Sequence, residues 1–253
     1  RSNIVINSER IMMNGRVLRG QPDLPLGQVT TDSRSVPPRS LFFALKGERF
    51  DAHSFVAAVA AAGAAAAVVD RAVPTRLDFG LIQVPDTTRA LGDFAAAWRR
   101  RFRPRVVAVT GTSGKTSTKN YLAAACRIRH RTLATSGNLN NHIGVPLTLF
   151  GLDANTERAI IEMGMSDRGE IAQLAEIAAP QVGVITSIGP AHLDRLGSID
   201  GVLDAKAELI TYLNAHNGTV VLNADAPEFE RLAARVTCRL VSVGESAAAS
   251  VRI

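Results

Sequence analysis

Cysteine is scarce in this sequence, and its scarcity excludes two common ways of stabilising a small fold. Only Cys126 and Cys238 occur in 253 residues. They lie far apart and lack the paired spacing of zinc sites and of disulfide-rich secreted domains. We therefore expect two reduced thiols and a cytoplasmic protein.

Long apolar runs are missing as well. The only long weakly polar stretch, residues 55–70, is rich in alanine and interrupted by Gly63. A bilayer-spanning helix needs about 20 mostly apolar residues, so this stretch predicts a packed helix followed by a strand. No signal peptide is evident, and because the sequence starts at Arg1 without methionine, we expect a trimmed or partial chain.

Acidic residues are fewer than basic ones, which leaves a formal charge of +6. The densest basic stretch is RRRFRPR, residues 99–105. Arginines clustered around an aromatic ring can bind nucleic acid phosphates. The end of a helix followed by Pro104 explains the run better, since cations suit that end of the helix dipole. We therefore predict an interdomain hinge and no nucleic acid partner; an anionic nucleotide substrate fits the charge equally well.

Apolar residues make up 46% of the chain, which is enough for two cores in 253 residues. We predict an α/β protein with a small N-terminal domain over residues 1–103. A P-loop domain with a mostly parallel, doubly wound sheet is predicted to follow over residues 104–253.

The stretch RVVAVTGTSGKTSTK, residues 105–119, organises the prediction. An apolar strand, a glycine turn and a helix in this order are typical of a phosphate-binding loop, in which backbone N–H groups face the phosphates. Lys115 would reach the outer phosphates and the Thr116 hydroxyl would ligate magnesium. The strict pattern has glycine at Val109, so a plain glycine-rich turn remains the alternative, although such a turn needs no lysine. The predicted ATP-binding residues are Gly111, Thr112, Ser113, Gly114, Lys115, Thr116 and Ser117.

The first domain shows apolar runs that predict strands over residues 41–44, 66–69 and 80–84 and a helix over residues 54–62. A second helix begins at Thr87 or Thr88 and carries apolar residues at helical spacing, which are Leu91, Phe94, Ala95 and Trp98. Its polar loops, residues 31–34 and 46–51, are candidates for binding an anion, although each is an ordinary turn by itself.

The second domain alternates predicted strands (residues 158–162, 182–188, 218–222 and 239–243) with predicted helices (residues 169–178, 198–213 and 227–236). Such alternation predicts a parallel sheet whose ligands lie beyond the carboxyl ends of the strands. Polar groups occur there: the stretch at residues 135–146, Glu162 and His192. A carboxylate at a buried strand end beside a phosphate loop suits magnesium. The alternatives are a helix cap or ion pair for Glu162 and a hydrogen-bonded loop histidine for His192.

Several stretches between residues 29 and 225 resemble the Mur ligase family. They are TDSR and LFFALKGERFDAH in the first domain, and TGTSGKTSTK, GNLNNHIGVPLTL, EMGMSDRGEI, TSIGPAHLDRLGS and DAKAEL in the second. The phosphate loop alone would fit several members. The stretch GNLNNHIGVPLTL is most similar to the members that add D-alanyl-D-alanine.

The resemblance implies an ATP-dependent ligase of peptidoglycan precursor synthesis. Such an enzyme joins D-alanyl-D-alanine to UDP-N-acetylmuramoyl-tripeptide through an acyl phosphate. It also implies ATP and two Mg²⁺ ions as cofactors, and we expect a monomer. Cations would offset the negative charge where a carboxylate meets a triphosphate.

The resemblance further assigns roles to residues. Lys115, His192 and Lys206 would be catalytic, and magnesium would be held by Thr116, Glu162, His192 and Lys206. Family members carbamylate the lysine at the position of Lys206, which makes it an anion; a solvated lysine on a helix is the alternative. The substrate-binding residues would be Ser33, Arg34 and Lys46 near the uridine nucleotide, and Asn140 and Asn141 near the tripeptide or the transferred phosphate.

Family members also carry a third, C-terminal domain that closes over the cleft. This sequence stops at Ile253, inside the predicted second domain, so we expect the stretch by itself to be inactive. Two alternatives stay open: another Mur-type amide ligase, or a non-catalytic module that binds a nucleotide.

Overall fold

The computed structural model describes residues 4–5, 15–19, 25–47, 50–74, 79–247 and 249–253. The chain divides into two compact units, Arg1–Trp98 and Arg99–Ile253. Each unit contains a largely parallel β-sheet and α-helices, so the predicted α/β class is confirmed. The predicted domain boundary after Arg103 stays a prediction. Within the described residues, no helix has the length and apolar character to cross a membrane.

The described part of the first unit contains a five-stranded sheet in the order β2-β7-β6-β5-β4. β2 runs antiparallel to β7, the other neighbours pair in parallel, and β1 and β3 form a separate antiparallel pair. The strands are β1 (Ile4–Val5), β2 (Arg16–Arg19), β3 (Pro25–Leu26), β4 (Val29–Thr30), β5 (Leu41–Phe43), β6 (Ala66–Val69) and β7 (Gly80–Gln83). The helices are α1 (Val56–Ala61), which follows a 3₁₀ turn at Ala52–Phe55, and α2 (Thr87–Arg100).

The core of the first unit follows from its apolar runs. β5 and β6 are buried along their whole length, as expected for central parallel strands covered on both faces. The α2 residues predicted to face inward, namely Leu91, Phe94, Ala95 and Trp98, are all buried. Within the candidate anion-binding loop at residues 46–51, Glu48 and Arg49 lie outside the described residues.

Buried His53 ties the 3₁₀ turn to the end of β6. Its Nδ1 lies 2.6 Å from Asp51 Oδ1, and its Nε2 accepts a hydrogen bond from the Asp70 N–H at 3.0 Å. Nε2 also lies 3.0 Å from Asp70 Oδ1, so the ring contacts both Asp51 and Asp70. The Arg71 guanidinium, which donates to Asp51 Oδ2, holds the pKa of Asp51 well below its usual range, with help from the His53 N–H. Asp51 therefore stays an anion that orients the ring.

In the second unit, the described residues form a seven-stranded parallel sheet in the order β14-β13-β12-β11-β8-β10-β9. The strands are β8 (Arg105–Thr110), β9 (Thr132–Ala134), β10 (Arg158–Glu162), β11 (Val182–Ile185), β12 (Thr219–Asn223), β13 (Arg239–Gly244) and β14 (Val251–Arg252). The helices are α3 (Lys115–Arg127), α4 (Gly144–Leu149), α5 (Glu170–Ala178), α6 (Leu193–Leu196), α7 (Ile199–Ala215) and α8 (Phe229–Ala233).

Two elements are shorter than predicted, and β14 was not predicted. The strand predicted over residues 182–188 ends at Ile185, because the next residues bond to the phosphate loop. The helix predicted over residues 227–236 is confined to Phe229–Ala233. β14 lies in an alanine-rich ending for which no element was predicted.

The strand order places β8 between β10 and β11. After β8, the chain first adds strands on one side of it, β9 and β10, and then adds β11 and the later strands on the other side. In an open parallel sheet, such a reversal opens a crevice at the carboxyl ends of the strands. The loop after β8 begins there. The basic run lies at the other end of the strands, where β8 and β10 begin. There it forms most of a pocket of about 430 Å³, which is lined by Arg99, Arg100, Phe102, Arg103, Pro104, Arg105, Arg158 and Gln181.

Candidate active site

The start of α3 presents a row of free backbone donors. Gly114 adopts a left-handed conformation with φ +82°, and the first helical hydrogen bond runs from the Thr118 N–H to the Gly114 oxygen. In the part of the chain that the structure describes, the four preceding N–H groups have no acceptor; they belong to Gly114, Lys115, Thr116 and Ser117. Free donors at a helix N-terminus, together with the helix dipole, favour an anion.

The loop after β11 fixes the shape of the phosphate loop. Thr112 N donates to Ser187 O at 2.9 Å, and Ser113 N donates to Ser187 Oγ at 3.0 Å. The Thr186 hydroxyl donates to Ser113 O at 2.6 Å. The N–H groups of Thr112 and Ser113 thus face the neighbouring loop, unlike the simple prediction that the whole loop turns its donors to phosphate.

Gly111 makes this close approach possible. Its φ is +145°, and a Cβ built there would lie 2.0 Å from Thr186 Oγ1. Both the backbone conformation and the space exclude a side chain. The glycine predicted for the turn is therefore required by the packing between the two loops.

The amines of Lys115 and Lys206 lie close enough at the phosphate loop to repel each other. Lys115 Nζ donates to Gly111 O at 2.9 Å and to Thr112 O at 3.0 Å, so it lies over the phosphate loop. Lys206, on α7, is only 3% exposed and has no ion pair among the described residues. Burial, followed by repulsion from Lys115, lowers the pKa of Lys206 to about 8. The alternative of a solvated lysine is therefore wrong.

Glu162 is the centre of a polar cluster at the end of β10. Its carboxylate accepts the Thr116 hydroxyl on Oε2 at 2.9 Å and the Asn140 amide on Oε1 at 2.8 Å. The residue is 2% exposed, and among the described residues it neither forms an ion pair nor caps a helix. The structure thus brings together three predicted site residues, from α3, β10 and the loop after β9.

His192 and Asn141 have different surroundings. His192 has an exposed side chain and φ +51° at the start of α6, and within the described ranges no hydrogen bond joins its ring to the Glu162 cluster. Its metal role stays a prediction. The side-chain oxygen of Asn141 accepts from the N–H groups of Ile143 and Gly144 at 3.1 and 2.9 Å, at the start of α4.

The three predicted uridine-site residues lie in the first unit. Ser33 and Arg34 share a turn, in which the Arg34 guanidinium donates to both carboxylate oxygens of Asp32 at 2.9 Å. These hydrogen bonds lower the pKa of Asp32 to about 2. Lys46 is exposed and pairs through its backbone with Asp51. Their substrate contacts stay predictions.

The donor set at the site suits a hard cation. Among the described residues, no group of three His, Cys, Asp or Glu side chains could hold a metal ion, and both cysteines are free thiols. A hydroxyl and a carboxylate in contact, beside free phosphate-binding donors, match the way Mg²⁺ is bound with a nucleotide. Thr116 and Glu162 therefore fit magnesium and do not fit a zinc site.

Three residues of this region were not singled out from the sequence, namely Lys119, Thr186 and Ser187, and Thr135 was included only as the first residue of the polar stretch at residues 135–146. Lys119 lies one helical turn after Lys115, and Thr135 directly follows β9. That spacing, and the position of polar residues just after strands, is the pattern that could have identified them.

Two family models match the sequence. One, described as the Mur ligase middle domain, matches residues 109–253. The other, described as Mur ligase family, catalytic domain, matches residues 26–99. Together they cover parts of both compact units.

Relatives with a curated description extend the similarity. A UDP-N-acetylmuramoyl-tripeptide--D-alanyl-D-alanine ligase of Bacillus subtilis is 44% identical over 200 residues, which cover 79% of this chain and 44% of the relative. The chain thus spans less than half the length of that relative.

Solved structures agree with the sequence matches. MurF from Acinetobacter baumannii superposes with a TM-score of 0.90 and 34% identity, covering 97% of this chain and 54% of that one. MurF ligase from Thermotoga maritima in complex with ADP gives a TM-score of 0.79 and 30% identity, covering 87% and 50% of the two chains.

Proposed function

Because this chain belongs to the Mur ligase family, we propose that the full-length protein carrying it is an ATP-dependent ligase. It joins D-alanyl-D-alanine to UDP-N-acetylmuramoyl-tripeptide during peptidoglycan precursor synthesis. The substrates follow from the names of the relatives and from the stretch at residues 137–149. The observation that carries the proposal is the contact of Thr116 and Asn140 with buried Glu162, next to the free N–H groups of the phosphate loop.

The reaction consists of two transfers. A carboxylate oxygen of the tripeptide attacks the γ-phosphorus of ATP, the bond to the β-phosphate oxygen breaks, and ADP leaves. The amine of D-alanyl-D-alanine then attacks the acyl carbon, the phosphate leaves and the amine loses a proton. The first transfer brings a carboxylate up to a triphosphate, so positive charge must offset the repulsion between them.

The chain supplies that positive charge at the phosphate loop. The four free N–H groups at the start of α3 bind phosphate oxygens, and the helix dipole adds to their field. Lys115, which donates to two loop carbonyls, gives up one of them and contacts the β- and γ-phosphates. Since an ammonium carries three donors, it can contact phosphate while keeping one carbonyl partner.

Thr116 and Glu162 hold one Mg²⁺ in this proposal, and His192 with a carbamylated Lys206 holds a second. When bound, magnesium neutralises charge on the phosphates and the attacking carboxylate. Asn140 keeps Glu162 oriented, since its amide occupies one carboxylate oxygen. Ser33, Arg34 and Lys46 bind the uridine nucleotide, and Asn140 and Asn141 lie near the tripeptide or the transferred phosphate.

Lys206 is suited to carbamylation, because carbon dioxide reacts with a neutral amine. An ordinary lysine is almost fully protonated near pH 8, whereas a pKa of about 8 leaves roughly half of this amine neutral. The unmodified ammonium would instead repel magnesium and Lys115.

We predict that the intact mass of the protein increases by one carbamate in bicarbonate and that Lys206→Ala loses this increase. Activity lost in Lys206→Ala should be partly restored by short carboxylic acids, which supply the missing anion. Absence of rescue would remove the carbamate role. Lys46→Ala is the matched control, since that exposed lysine should leave the mass increase intact.

The decisive experiment measures ADP release by the full-length protein. We expect release that requires both UDP-N-acetylmuramoyl-tripeptide and D-alanyl-D-alanine, with one ADP per amide formed. Absence of ADP release in the presence of both substrates, with ATP bound normally, would instead support the non-catalytic nucleotide-binding module. Dependence on a different amino acid would indicate another Mur-type ligase. We further propose that the protein is cytoplasmic and monomeric. Sedimentation of the full-length protein at the mass of one chain would test the monomer.

A further inference from the structure

A buried cation without a carboxylate partner lies next to the candidate site. Lys119 is 3% exposed, one helical turn after Lys115 on α3. Among the described residues it forms no ion pair, and its one hydrogen bond runs from Nζ to Thr135 O at 2.8 Å. Removing an ammonium from water is costly, so such a residue needs a compensating reason to be charged and buried. The mechanism proposed above gives it none.

Thr135, which accepts the hydrogen bond from Lys119, is also bonded to the backbone of Glu162. Thr135 is 2% exposed, and its hydroxyl accepts a hydrogen bond from the Glu162 N–H at 2.9 Å. One residue is therefore bonded to the ammonium through its carbonyl and to Glu162 through its hydroxyl. Two hydrogen bonds through Thr135 therefore link the ammonium to the backbone of Glu162, at the end of β10.

The same loop is fixed again at its other end. The Asn140 side-chain amide donates to Glu162 Oε1, and the backbone oxygen of Asn140 accepts from the Gly164 N–H at 2.8 Å. A Cβ on Gly164 would lie 2.9 Å from Asn140 Oδ1, so the two loops are packed without spare room. Residues 135–140 thus include the Asn140 amide that orients Glu162. Lys119 donates a hydrogen bond to the first residue of that segment, Thr135.

We infer that Lys119 is a positioning residue for the metal-nucleotide site. It holds the Thr135 carbonyl, which keeps the loop and its Asn140 amide in place, and the loop in turn keeps the Glu162 carboxylate aimed at the Thr116 hydroxyl. The inference rests on the proposed function to the extent that Glu162 ligates magnesium with ATP. Lys119 itself touches no substrate.

A purely electrostatic role for Lys119 and a positioning role predict opposite changes in magnesium affinity when the lysine is removed. A positive charge near Glu162 repels magnesium, so removing it would strengthen metal binding. Positioning predicts that metal binding weakens, since residues that orient metal ligands typically contribute about 10- to 100-fold in affinity or activity. The sign of the change therefore separates the two.

The experiment compares Lys119→Met with wild type in the full-length protein. Methionine keeps the length of the side chain without the charge or the donors. ATP affinity without metal should stay within about twofold by calorimetry, because the free N–H groups and Lys115 are untouched. Binding of Mn²⁺ with ATP, followed by electron paramagnetic resonance, should weaken about tenfold, and kcat should fall about 10- to 100-fold with little change in KM for the tripeptide.

Two further variants complete the design. Lys119→Arg keeps donors that can reach Thr135 O and should recover part of the Mn²⁺ affinity, whereas Arg127→Ala, exposed at the other end of α3, should match wild type. Stronger Mn²⁺ binding in Lys119→Met, or binding equal to wild type with only a lower Tm, would overturn the inference. The binding measurements need no tripeptide, so they test Lys119 even in a protein without ligase activity.

Discussion

Replacing Lys115 with alanine in the full-length protein should reduce ADP release by about 10²- to 10³-fold, the range measured when one charge-stabilising donor is removed from an active site. The ammonium lies over the phosphate loop, bonded to the Gly111 and Thr112 carbonyls. In the proposed reaction it is the side-chain cation that contacts the transferred phosphate. Its loss therefore raises the barrier to transfer, in addition to weakening nucleotide binding.

Several observations make this variant a clean test. Lys115 bonds only to two loop carbonyls within the described residues, so its removal should leave Tm near that of wild type. Because Lys115 contributes to the low pKa of Lys206, the variant should also shift that pKa partway back toward its ordinary value, with burial remaining as the larger cause. Arg127→Ala is the control on the same helix. Turnover within a few-fold of wild type in Lys115→Ala would contradict the assignment of the loop.

Glu162→Gln should lower turnover by at least about 10²-fold and should require more magnesium for half-maximal rate. Glutamine has nearly the same shape. Its oxygen can accept the Asn140 amide, and its NH₂ group can donate to the Thr116 hydroxyl, which accepts as well as donates. The hydrogen bonds survive while the charge is lost, so the change isolates the carboxylate.

Stability and activity should move in different directions in this variant. Glu162 is a buried carboxylate without an ion pair in the described chain, so the neutral amide should keep Tm unchanged or raise it. Glu157→Gln, directly before β10 and half exposed, is the matched control and should retain full activity. A Glu162→Gln protein that turns over like wild type at low magnesium would remove Glu162 from the metal site.

Much of this site could be predicted from the sequence, because its main elements follow from local pattern. The apolar run before Gly111 gives β8, the glycines give the turn, and the end of another apolar run places Glu162 at the carboxyl edge of the sheet. Parallel strands bring such ends together, so the meeting of Thr116 with Glu162 is a consequence of topology.

The rest depends on tertiary partners that periodicity does not specify. β11 stops at Ile185 because the hydroxyl of Thr186 finds Ser113, a residue more than seventy positions earlier. From the sequence alone, Lys119 is expected to be an exposed residue of a helix. In the structure α3 packs against the sheet, and Lys119 donates a hydrogen bond to the Thr135 carbonyl.

The hydrogen bonds between the phosphate loop and Ser187 have a thermodynamic consequence. Two of the loop amides are already committed to protein acceptors, and Gly111 fits against Thr186 with no room to spare. The cradle acquires its curvature when the chain folds, so an incoming triphosphate does not have to order it. Conformational entropy that other glycine-rich loops lose on meeting their ligand is here lost beforehand, which leaves more of the contact energy for affinity.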